Sequence, residues 1–174
     1  ECIGWSEIEP NAIALHNACF PSLSGKNFGD MTKIDWSKVA DFDLLTYSTP
    51  CQSVSQAGKQ KGIEEGSNTR SSILWFTRNA IITKRPKYLL MENVEALVQT
   101  KFIGFFNKWR KELESYGYIN FAKVVNAADC GVPQNRKRVF MLSIRNDGDK
   151  IDYHFPRKTK LEKHLVDVLE ENVD

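Results

Sequence analysis

The stretch Phe42-Asp43-Leu44-Leu45-Thr46-Tyr47, running on into Ser48-Thr49-Pro50-Cys51-Gln52-Ser53, decides how this chain is read. Its largely apolar first half predicts a buried strand, and the Ser-Thr-Pro that follows ends it, because proline fixes φ and removes a backbone donor. Directly beyond sits a cysteine, at the head of a polar run over residues 51–69 that contains Gly58, Gly62 and Gly66. A loop of that length is more often functional than a simple connector. A cysteine where a buried strand meets such a loop has the placement of a nucleophile on a mobile lid.

Working outward, apolar runs alternate with helical patterns. Cys2 to Glu7 reads as a strand, and Pro10 suits the first turn of a helix reaching about Ala18. Arg70 to Thr83 fits a helix with Ile73, Leu74, Phe76 and Ile81 toward the core, closed by Lys84-Arg85-Pro86. Tyr88 to Met91 is a strand, Phe102 to Tyr116 an amphipathic helix with Gly117 as its C-cap, and Ile119 to Val125 and Arg138 to Ile144 are strands. Asn146-Asp147-Gly148-Asp149 turns into a tail with a short helix near Leu161 to Glu171. The alternation predicts an α/β fold, with a mostly parallel twisted sheet and helices on both faces, in one domain over residues 1–174.

Composition narrows the class. A chain of 174 residues, 41% hydrophobic and 26% charged, has the make-up of an ordinary globular domain able to bury a core. No apolar run approaches a membrane span and no signal peptide is visible. A net charge of +2 does not announce a nucleic-acid binder. The basic residues are nonetheless clustered, at Lys59 and Lys61, Arg78 to Lys87, Lys108 to Lys111 and Arg136 to Arg138. For Lys108, Arg110 and Lys111 a solvated helix face is the expectation. The cysteines, Cys2, Cys19, Cys51 and Cys130, form no Cys-x-x-Cys pair and have no accompanying histidine spacing, so neither zinc nor a disulfide framework is expected. Reduced thiols in a cytosolic protein follow, with Cys2, Cys19 and Cys130 structural.

Three short segments fall in order at strand ends or starts: Thr49-Pro50-Cys51-Gln52, Met91-Glu92-Asn93-Val94 and Gln134-Asn135-Arg136-Lys137-Arg138. In that order and placement they closely resemble the DNA cytosine-5 methyltransferases. The resemblance implies a Rossmann-like, S-adenosylmethionine-dependent methyltransferase core acting on double-stranded DNA, without a metal and with no obligate protein partner. Cytosine C5 is a poor nucleophile. A thiolate adding at C6 breaks the ring's aromaticity and pushes electron density onto C5, which can then take a methyl group from a sulfonium.

By the resemblance, Cys51 is that thiolate and Pro50 lines the donor's path. Glu92 contacts cytosine N3 and the exocyclic amine, making C6 more electrophilic. Asn93 orients the loop around the proline and cysteine. Arg136 and Arg138, alternating on a strand and so sharing a face, stabilise the thiolate and the charged ring. The first lies near the cytosine oxygen and the second supports the active-site loop, while Gln134 holds the segment and Lys137 is solvated or meets phosphate. The loop Gln52 to Gly66, with Ser55, Gly58, Lys59 and Lys61, resembles the family's catalytic loop, which closes over DNA after the base is extruded. On the cofactor side Glu7 matches the ribose-binding acid with Ile8 beside the adenine. Asp30 matches the acid at the adenine amine with Met31 packed on the ring.

The family's Phe-x-Gly-x-Gly segment is expected before Glu1, and the target-recognition region and C-terminal motifs after Asp174. The chain therefore reads as a catalytic core truncated at both ends, from a bacterial or phage cytoplasmic enzyme. Two rival readings are a transfer RNA substrate, as in one branch of the same family, and a decayed enzyme kept as a DNA-binding or regulatory module. Intact Cys51, Glu92, Arg136 and Arg138 argue against decay. A thiol redox protein would need a resolving cysteine near Cys51, and none lies close in sequence.

Overall fold

The computed structural model describes residues 1–48, 74–162 and 164–170. Four strands, β1 (Leu44–Ser48), β2 (Tyr88–Val94), β3 (Tyr118–Asn126) and β4 (Lys137–Arg145), form one sheet in the order β1-β2-β4-β3. Parallel neighbours require a crossover, and α2 (Leu74–Lys84) supplies it between β1 and β2. Helix α3 (Ile103–Ser115) carries the chain from β2 to β3, which runs the same way as β2. Strand β4 is inserted between them, antiparallel to both. Helix α1 (Pro10–Cys19) precedes the sheet, with Pro10 in its first turn, and buries no residue.

The core lies on one face of the sheet. Leu89, Met91 and Asn93 of β2 pair with Ser143, Met141 and Val139 of β4, and all six are buried. Onto this layer α3 presents Phe106, Trp109 and Leu113, spaced so that they share a stripe of the helix. Trp109 stands edge-on to Trp75 of α2 at 5.7 Å between ring centres, and its indole Nε1 donates to the Tyr47 hydroxyl of β1 at 2.9 Å. Burial raises the Tyr47 phenol well above its ordinary range, so its oxygen stays neutral and able to accept that bond. Arg78 and Glu112 join α2 to α3 through a two-pronged ion pair. Helix α3 ends where Gly117, at φ +86°, adopts the left-handed conformation that glycine tolerates.

Several expectations change. Among the described residues three of the four strands share one direction, yet of the three ladders only β1–β2 is parallel, because the inverted β4 lies between β2 and β3. Helices α2 and α3 lie on the same face. The other face is partly covered by an aromatic string, Phe121 against Tyr153 and Tyr153 against Phe155, rather than by either helix. Residues 2–7 form no strand; Trp5 makes a single bridge to Asn27. Phe76 is exposed, and Trp75, Thr77 and Ala80 join Leu74 and Ile81 inside, since α2 meets α3 through Trp75 and also packs against the 3₁₀ turns Met31–Lys33 and Trp36–Lys38. Ile73 lies outside the described residues. Among the described residues of 161–171 the expected helix is replaced by a 3₁₀ turn, Leu165–Val168. Cys2, Cys19 and Cys130 are exposed and contribute nothing to the core. Of the basic run on α3, Lys108 sits 4.9 Å above the Trp75 ring and Arg110 pairs with Glu114, so the face is not simply solvated.

Leu113 is fully buried at the centre of this layer. Leu113→Ala should lower the unfolding free energy by about 2–5 kcal/mol, seen in urea as a lower midpoint with an unchanged slope.

Candidate functional site

The carboxyl ends of β1 and β2 and the start of β4 converge at one edge of the sheet, the end at which α/β folds place their ligands. Side chains alternate along β2, so Asn93 faces the buried layer while Glu92 and Val94 face the opposite side. The parallel register pairs Ser48 with Glu92, and the antiparallel register sets Arg138 opposite Val94. The result is a clasped carboxylate. Arg138 Nε meets Glu92 Oε1 at 3.0 Å, and Ser48 Oγ donates to Glu92 Oε2 at 3.1 Å. About a third of the Glu92 side chain remains accessible, leaving the carboxyl within reach of a ligand. Lys137, directed to the other side of β4, lies 3.9 Å from Glu95 just past the end of β2, an exposed pair of small energetic weight.

The two arginines of the Gln-Asn-Arg-Lys-Arg segment are not equivalent. Strand β4 begins at Lys137, so only Arg138 lies within it, and the expected alternation of two arginines along a strand is met by one. Arg136 is exposed just ahead of the strand, and its place is fixed through its backbone. Its N–H donates to Asn126 Oδ1 at 2.9 Å and its carbonyl accepts from Ala127 N–H at 3.0 Å. Asn126 Nδ2 also donates to Asn135 Oδ1 at 2.9 Å. Gln134 contributes its main chain, donating to Val132 O and accepting from Arg136 N–H, while its side chain is exposed. Asn93 is buried, with its Oδ1 accepting from Val94 N–H at 2.9 Å.

A second group gathers around Asn27. Its Oδ1 accepts from the amides of Glu7 and Gly29, and its Nδ2 donates to Glu7 O at 3.0 Å. Ser6 Oγ donates to Gly29 O at 2.5 Å. These bonds bring residues 6–8 alongside residues 29–31 and so unite Glu7, Ile8, Asp30 and Met31. Glu7 Oε1 accepts from the amides of Ile8 and Glu9 at 2.7 and 2.9 Å. Ile8 is 67% exposed, an apolar side chain open to a flat apolar ligand. Asp30 caps the 3₁₀ turn Met31–Lys33, accepting from Thr32 N–H and from Thr32 Oγ1 at 2.7 Å.

Sequence reading missed Ser48, Asn27 and Asn126. Each is a polar residue at a strand end or in a loop, and its importance lies in a partner that only the fold brings near. Pro50, Cys51, Gln52, Ser55, Gly58, Lys59 and Lys61 fall outside the described residues. Among the described residues no group of three or more histidine, cysteine, aspartate or glutamate side chains could hold a metal ion, and no helix is long and apolar enough to cross a membrane.

The Thr32 bonds hold the Asp30 carboxyl below its ordinary 3.8. A lowered carboxyl pKa favours the fold above that ordinary value, and the contribution fades as pH falls through the folded one. Thr32→Val removes the hydroxyl bond, and carboxyl NMR titration should show Asp30 moving back up toward its ordinary value.

Comparison with known proteins identifies the family. The profile of the C-5 cytosine-specific DNA methylases matches residues 1–174. Over 148 residues the chain is 51% identical to the type II methyltransferase M2.ScrFI of Lactococcus lactis subsp. cremoris, covering 85% of this chain and 41% of that protein. It is 42% identical over 159 residues to the orphan methyltransferase M.SssI of Spiroplasma monobiae, covering 89% of this chain and 40% of that protein. The chain thus spans about two fifths of the length of these relatives. Its fold matches a solved Spodoptera frugiperda DNMT2 variant with a TM-score of 0.71 at 21% identity, over 100% of this chain and 54% of that one. The chain belongs to the C-5 cytosine-specific DNA methylase family.

Proposed function

We propose that the protein containing this chain transfers a methyl group from S-adenosylmethionine to C5 of cytosine in double-stranded DNA. The observation that carries the proposal is the Glu92 carboxylate, clasped by Ser48 and Arg138 at the carboxyl end of β2, with Cys51 only three residues beyond Ser48 in sequence. A cysteine three residues past the end of one strand in sequence, and an acid at the end of the neighbouring parallel strand, suit attack on one ring position and protonation at another. Family membership supports the same reaction class.

In this reading the Cys51 thiolate forms a bond to C6 of an extruded cytosine. As the ring's C5=C6 pair shifts to C4–C5, the C4=N3 pair takes up a proton at N3 from Glu92, which must enter this step as the protonated carboxylic acid. Arg138, a donor only, steadies the carboxylate left behind. The electron-rich C5 then takes the methyl group, the electrons of the broken S–CH3 bond staying on the donor's sulfur as a neutral thioether, and N3 returns its proton to Glu92. Loss of the C5 proton to a base, with cleavage of the C6–S bond, restores the aromatic ring and the free thiolate. Arg136 is assigned to charge stabilisation near the ring, and Asn93 and Gln134 to support of the segments that carry the reacting groups. Gln52, Ser55, Gly58, Lys59 and Lys61 are assigned to the DNA, where lysines neutralise phosphate and glycines allow the loop to close.

The residues around Asn27 fit the methyl donor. The Glu7 carboxylate is an acceptor for ribose hydroxyls, exposed Ile8 with Met31 offers an apolar surface to the adenine, and Asp30 offers an acceptor to its amine. When bound, the donor supplies an electrophilic methyl on a sulfonium. A cytoplasmic setting, in a bacterium or a phage-infected cell, is consistent with the bacterial and phage relatives.

The test is covalent trapping. The full-length protein is incubated with S-adenosylmethionine and a long duplex in which 5-fluorocytosine replaces every cytosine. Fluorine at C5 cannot depart as a proton does, so the adduct persists as a denaturation-resistant band. The proposal expects that band, and its loss in Cys51→Ser. No band from a folded protein that binds the donor, or an undiminished band in Cys51→Ser, would contradict it.

A further inference from the structure

The two oxygens of Glu92 have different partners, and the difference is chemical. Oε1 faces a guanidinium, which donates hydrogen bonds but accepts none, whereas Oε2 faces a serine hydroxyl, which does both. Beside Arg138, Oε1 is held as an acceptor and is a poor place for a proton. At Oε2 a proton is compatible with the neighbour in either state, since the hydroxyl donates to an ionised oxygen and can accept from a protonated one. Ser48 therefore stands at the oxygen best suited to exchange a proton with a base. It does so from the last described residue of β1, in direct register with Glu92, so the hydroxyl's position is fixed by the sheet.

We infer that Ser48 is a positioning residue for the methyl-transfer reaction: its hydroxyl fixes Glu92 Oε2 as the oxygen that gives its proton to the base ring and takes it back. The inference rests on the function proposed above. It also gives β1 a second role, because one short strand end then supplies both the partner of the acid and, three residues on, the nucleophile. Tyr47, the preceding residue, anchors that strand end from the opposite face through Trp109. A hydroxyl carried by a strand so tethered orients the carboxyl with little freedom to drift, and small misplacements of catalytic groups are costly to rate.

The experiment measures the rate of 5-fluorocytosine adduct formation by the full-length protein, with donor and DNA affinities measured separately by titration. Ser48→Ala should slow adduct formation roughly tenfold or more while both affinities and the thermal midpoint stay as in the unsubstituted protein. Ser48→Thr, which keeps a hydroxyl on a β-favouring residue, should restore most of the rate. In a Glu92→Gln background, itself slowed about 10²- to 10⁴-fold, adding Ser48→Ala should cause no further loss, because the group it positions has gone. An adduct at the unsubstituted rate in Ser48→Ala, or an equal loss with and without Glu92→Gln, would overturn the inference alone. Failure of the unsubstituted protein to form any adduct would overturn the proposed function and this inference together.

Discussion

The ladder between β2 and β4 is the constraint from which the rest of the site follows. Its register sets Met91 against Met141 and Asn93 against Val139 on the buried side. Because side chains alternate, the same register leaves Glu92 and Arg138 on the accessible side, near enough to form an ion pair across strands. A slip by one residue would carry Glu92 into the apolar layer and Met91 out of it, so burial of the core and placement of the acid are enforced by one arrangement. The positions of Glu92 and Arg138 thus depend on the packing beneath them.

That packing is aromatic at its centre. Trp75, Trp109 and Tyr47 meet edge to face, and the Trp109–Tyr47 bond ties α3 directly to β1. The polar tips of Trp109, Tyr47 and Tyr118 find partners inside, Tyr118 donating to Pro86 O at 2.6 Å, so these three rings are buried without stranding their polar atoms. Beyond Pro86, Arg85 holds a positive φ of 45°, and its carbonyl and guanidinium are gripped by Arg145 and by Tyr116 O respectively. The far end of the sheet is thus braced by its own charges around an open polar cavity lined by Asp41, Asp43, Lys84, Arg85, Lys87 and Arg145, whereas the end carrying Glu92 keeps its acid accessible.

Much of this was legible in the chain, and the failures have physical reasons. β1, β2, β3, β4 and α3 could be read because the strands carry apolar stretches and α3 an amphipathic period with a glycine stop, although β1, expected to be buried, has no fully buried residue. Residues 2–7 have strand-like composition but only one bridging partner among the described residues, and a strand is defined by pairing rather than propensity. Three of the described strands share one direction, as expected of the α/β fold, but sequence order says nothing of where the inverted last strand inserts. The same limit applied to the site. Glu92 and Arg138 were visible as motif residues, whereas Ser48 is a common residue whose significance comes from a neighbour 44 positions away. Asn126 and Asn27 likewise act through backbone amides that only folding brings into reach.

The central claim is that the clasp at Glu92 persists and works on the base. The most direct measurement is a crystal structure of the full-length protein trapped on 5-fluorocytosine DNA. The account predicts continuous density from Cys51 Sγ to C6, with Glu92 within hydrogen-bonding distance of N3 and still held by Arg138. A trapped base whose N3 faces some other residue, with Glu92 turned away from it, would contradict the account.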